Sequence, residues 1–79
     1  MRPINPQLGE FYLLKNNNTG KVVARTRAHF VLSVNGNENK YSYSDGLCLN
    51  NVRSIGGVEI PLNYIVKKIS PNDNPELFL

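Results

Sequence analysis

The sequence predicts a small all-β domain, a five-stranded meandering barrel or sandwich, and three observations point there. Asparagine-rich clusters punctuate the chain at Asn16-Asn17-Asn18-Thr19-Gly20, Asn35-Gly36-Asn37-Glu38-Asn39 and Asn50-Asn51. Asn and Gly tolerate the left-handed backbone of tight turns, so each cluster marks a reversal. The segments between them are short, rich in β-branched and aromatic residues, and recur roughly every ten residues, the rhythm of a meandering sheet.

The first strand is expected over Glu10–Lys15 and the second over Lys21–Arg27. In the second, alternation puts Val22, Ala24 and Thr26 on one face and Lys21, Val23, Arg25 and Arg27 on the other, a basic stripe. His29–Val34 and Lys40–Ser44 form the next two strands. Asn-Gly is the strongest short hairpin signal, so the turn at Asn35-Gly36 is expected to be even-numbered. Side chains alternate with period two, and an even register brings Tyr41 and Tyr43 to the face of Phe30 and Leu32, covering the core.

The last element lies in "GGVEIPLNYIVKKIS", Gly56 to Ser70. As a helix it would align Leu62, Ile65, Val66 and Ile69 on one apolar face, with Pro61 in the first turn. Ile60 is a poor N-cap and Tyr64-Ile65-Val66 favours strand, so a turn followed by a strand over Tyr64–Ile69 is preferred. Within this stretch, Ile60-Pro61-Leu62-Asn63-Tyr64-Ile65 resembles the end of a Src-homology-3 domain, which reads Pro-x-Asn-Tyr-Val after a hydrophobic residue. The resemblance implies an SH3-like small barrel with a single helical turn before the last strand. It also sets Pro61 and Tyr64 where that family's peptide-groove residues stand. The family's acidic loop, aromatic-rich first-strand motif and tryptophan pair are absent; this chain has no Trp.

One domain is expected over residues 1–70, followed by a tail, 71–79, in which two prolines are expected to exclude regular structure and Leu77-Phe78-Leu79 form an apolar tip. Such a tip either folds back onto its own domain or docks on a partner or a second copy.

Composition narrows the function. The single cysteine, Cys48, allows no internal disulfide, and with the single histidine, His29, falls short of a structural zinc set. Met1-Arg2-Pro3-Ile4-Asn5-Pro6 lacks the apolar core of a secretory signal, and no run of about 20 apolar residues occurs, so a cytoplasmic location without a membrane role is expected. Thr19-Gly20-Lys21 lacks the first glycine and the Ser/Thr of a phosphate loop, and Gly56-Gly57 lacks the third glycine of a dinucleotide site. No nucleophile, base and orienting group can be named together, so neither an enzyme nor a cofactor is expected.

Two binding readings remain. Residues 1–70 carry nine basic residues against Glu10, Glu38, Asp45 and Glu59, a formal +5, whereas the whole chain is +3. Lys21, Arg25, Arg27, Lys40, Arg53, Lys67 and Lys68 would supply phosphate contacts, and Tyr12, Tyr41 or Tyr43 stacking, for a nucleic acid. The alternative for those charges is a solvated outer sheet face. The preferred reading is a protein-binding module that uses Pro61, Tyr64, Leu77, Phe78 and Leu79. In size and style it matches small accessory or inhibitory proteins of phages and mobile elements.

Overall fold

In the computed structural model of the chain, residues 4–78 are described. They form an all-β structure: β1 Phe11–Leu14, β2 Thr19–Arg25, β3 Phe30–Val34, β4 Asn37–Tyr41, β5 Val52–Ile55, β6 Val58–Pro61 and β7 Ile65–Ile69. A 3₁₀ turn, Pro75–Leu77, follows. Five strands make one antiparallel sheet in the order β4-β3-β2-β1-β7, and β5 and β6 make a separate hairpin. The described residues thus hold two strands more than the expected five. The sheets do not close on each other.

The β3–β4 turn explains the core. Asn35 (φ 52°) and Gly36 (φ 84°) both take the left-handed backbone that a two-residue hairpin turn requires. That turn sets Phe30 opposite Tyr41 and Leu32 opposite Asn39. Tyr41 and Tyr43 therefore point inward with Phe30 and Leu32, as the even register demands, and join Tyr12, Leu14, Val22 and Cys48 in the core. The Phe30 ring meets Tyr12, Tyr41 and Tyr43 at centroid distances of 6.2, 6.0 and 5.3 Å. Each such pair contributes about 0.5–1.5 kcal/mol beyond its buried area. Ser42–Ser44 leave the ladder, and the Tyr43 hydroxyl donates to the Thr26 carbonyl.

Between β4 and the hairpin, Gly46–Leu49 run as a strap. On one side the Ser42 N–H donates to Leu47 O (3.0 Å) and the Leu49 N–H to Lys40 O (2.7 Å). Across the strap, the Cys48 N–H donates to Asn63 O and the Ile65 N–H to Gly46 O, both at 3.0 Å. This pairing corrects the expectation of a helical turn before the last strand. The chain bends at Leu62, whose N–H donates to Asn51 O (3.0 Å), and Asn63 to Ile65 then run along the strap, so their backbone groups serve strand pairing rather than a helical turn.

A helical turn is found instead after β7. There the two prolines do not exclude regular structure: Pro75 opens the 3₁₀ turn, where its missing N–H costs nothing. The turn carries Phe78 back onto Phe11, ring edge to ring face, at a centroid distance of 4.8 Å. Phe11 lies opposite Ile69, so this second apolar cluster sits on the sheet face away from the core.

Candidate functional site

The hairpin of β5 and β6 is the part of the chain least used by its own fold. Gly56 (φ 59°) and Gly57 (φ 82°) make a second left-handed turn, and the register pairs Arg53 with Ile60 and Ile55 with Val58. These four side chains share one face. Ile55, Val58 and Ile60 remain 53, 62 and 44% exposed. Leu49, Leu62, Tyr64 and Val66, on the segments that flank the hairpin in sequence, are exposed as well; Leu8 and Val23 are the other uncovered large apolar residues among those described. Within the hairpin, only Val52 and Pro61, at its base, are half-buried. Its signal in the sequence is Gly56-Gly57 between two β-branched runs, a two-residue turn not counted among the expected strands.

The residues expected to bind protein are not brought together. Pro61 ends β6 opposite Val52, and Tyr64 is exposed beside Leu47. Phe78 sits at the far end of β7, roughly 16 Å away along the strand at ordinary strand rise. Leu77 and Phe78 are half-buried, Phe78 against Phe11 of the molecule's own sheet, and Leu79 lies outside the described residues.

The basic set also divides. Lys21 pairs with Ser33 and Val22 with Leu32, but then Ala24 pairs with Val31 and Arg25 with Phe30. Val23 is an extra residue, a β-bulge, and it inverts the alternation beyond it. Arg25 therefore falls on the Val22 side of the sheet rather than with Lys21, and its guanidinium donates to Pro6 O at 2.6 Å. The expected Lys21–Arg25–Arg27 stripe is broken, because strict alternation assumes no bulge. Arg27 lies beyond the end of β2, and Arg53 is on the hairpin. The tyrosines offered for stacking, Tyr12, Tyr41 and Tyr43, are all buried in the core.

Lys68 is tied to Glu10 by an ion pair at 2.6 Å that links β7 to the start of β1. The Lys68 hydrogen bond pulls the Glu10 carboxyl below its ordinary value; burial opposes it and the Gln7 N–H assists. Beside this pair a shallow cleft of about 370 Å³ is lined by Ile4, Tyr12, Ile65 and Lys67, among others.

Cys48 is buried in the core, its thiol 3.7 Å from Asn50 Oδ1. His29 is half-buried, and its carbonyl accepts the Thr26 N–H and hydroxyl. Among the described residues no three His, Cys, Asp or Glu side chains are grouped to share a metal ion. No described helix is long and apolar enough to cross a membrane. No protein-family model, curated protein or solved structure matches the chain.

Proposed function

We propose that this chain is a small non-catalytic protein-binding module, an accessory or inhibitory protein built on an SH3-like small barrel, and that the β5–β6 hairpin is its contact surface. The barrel reading is supported by the strand order, in which the last strand returns to pair with β1, and by the strap whose isolated bridges reach from Tyr41 to Tyr64.

The observation that carries the function is the exposed Ile55, Val58 and Ile60 face on a two-stranded hairpin. An isolated pair of strands is marginally stable in water, and both its edges offer unpaired N–H and C=O groups. A partner strand laid along β6 would satisfy that edge, while the apolar side chains would give the contact its energy.

A photo-crosslinking residue at Val58, in the cell of origin, tests this. It should give one discrete adduct, and a purified partner so identified should bind with at least tenfold lower affinity to Ile55→Asp or Ile60→Asp. The same probe at Gln7, remote from the hairpin, should give none. An identical adduct from both positions, or an affinity indifferent to the aspartates, contradicts the assignment.

A further inference from the structure

We propose that the face of the five-stranded sheet turned away from the core binds single-stranded nucleic acid along a diagonal of three lysines. The pairing register places them. Lys40 on β4 is opposite Val31, which is opposite Ala24. Lys21 on β2 is opposite Phe11, and Leu13, two residues on, is opposite Lys67 of β7. Each step from Lys40 to Lys21 to Lys67 thus crosses two strands and advances two residues in the same direction.

At ordinary strand spacing and rise each step is ~12 Å and the whole line ~24 Å. All three lysines are exposed. Glu38, opposite Ser33, is the carboxylate the paired strands add to this face. Beside the line stands an aromatic corner, Phe11 with Phe78 against it. A row of cations with an aromatic surface next to it is what a flexible polyanion with flat bases recognises; phosphates meet the ammonium groups and a base stacks on the rings. This surface is separate from the hairpin, so the two readings stand or fall independently.

The test is fluorescence anisotropy of labelled oligothymidylate of about 12 nucleotides with the full chain. Three phosphate contacts to a single strand predict a salt slope near −2, or roughly 20-fold weaker binding at 200 than at 50 mM salt. Lys21→Gln, Lys40→Gln and Lys67→Gln should each flatten the slope by about 0.7, while Arg53→Gln on the hairpin leaves it unchanged. Phe78→Ala should weaken binding roughly fivefold at fixed salt without altering the slope. The proposal is overturned by no binding at 50 mM salt, by an Arg53→Gln effect equal to the others, or by equal affinity for a duplex of the same length. Competition by polyglutamate as strong as by unlabelled oligonucleotide also overturns it, because the face would then read charge alone.

Discussion

Tyr41 and Gly46 show how single positions are constrained. The Tyr41 ring fills the core beneath Phe30, yet its buried hydroxyl has no hydrogen-bond partner among the described residues. Burial, with the neighbouring Cys48 adding to it, pushes its pKa up to about 12. A buried hydroxyl left unpaired costs free energy, so Tyr41→Phe should be neutral or stabilising by up to about 1 kcal/mol in chemical denaturation. A loss of more than that would mean the hydroxyl is satisfied.

Gly46 combines a left-handed backbone (φ +72°) with crowding: an added Cβ would lie 3.1 Å from Ile4 Cδ1 and 3.1 Å from Ile65 Cβ. Gly46→Ala should cost about 1–3 kcal/mol. Gly57→Ala, equally left-handed but in open space, should cost only the backbone part, about 1 kcal/mol. Equal losses at the two sites would show that crowding at the strap has no weight.

Among the elements, β1 is the hinge of the sheet, paired with β2 on one side and β7 on the other. The Glu10–Lys68 pair closes the end of that junction. Glu10 is lowered relative to its ordinary 4.5, so its contribution is present above that value and is lost as the pH falls through the lower folded value. Lys68 is raised above its ordinary 10.5, so its share is complete below that value and fades as the pH climbs through the folded one. Melting temperature followed from about pH 7 to pH 2 should drop on the acid side, and Glu10→Gln should flatten that limb. An unchanged limb would leave the pair without influence on folding.

Elements also show where sequence reading succeeds. Asn35-Gly36 sets a register with one solution, and Tyr41 against Phe30 follows from it. The Val23 bulge carries no such mark, since nothing in Val22-Val23-Ala24 demands an extra residue, and the face of Arg25 was therefore illegible. Tyr64–Ile69 could be assigned to a strand from its β-branched residues. The bend at Leu62 and the docking of Asn63 on the strap could not, because they depend on hydrogen bonds to Asn51 and Cys48, residues distant in sequence.

At the scale of the whole molecule, the chain is elongated, 43 × 27 × 21 Å, with a radius of gyration of 12.6 Å. A compact chain of this length would give about 11.6 Å. The excess fits a folded sheet with a hairpin that adds little to its core: every β5 and β6 residue except Val52 and Pro61 is exposed. Composition and turn spacing made the all-β class legible. The candidate site was not, because Ile55, Val58 and Ile60 look like core residues until the fold leaves them outside.

The most direct measurement joins Val52 to Pro61, which are already paired, through a two-residue Asn-Gly turn that replaces the rest of the hairpin. If the hairpin exists for a partner, the shortened chain should unfold within about 1 kcal/mol of the parent and lose binding to the partner captured at Val58. A shortened chain that does not fold, or that binds that partner undiminished, would contradict the account.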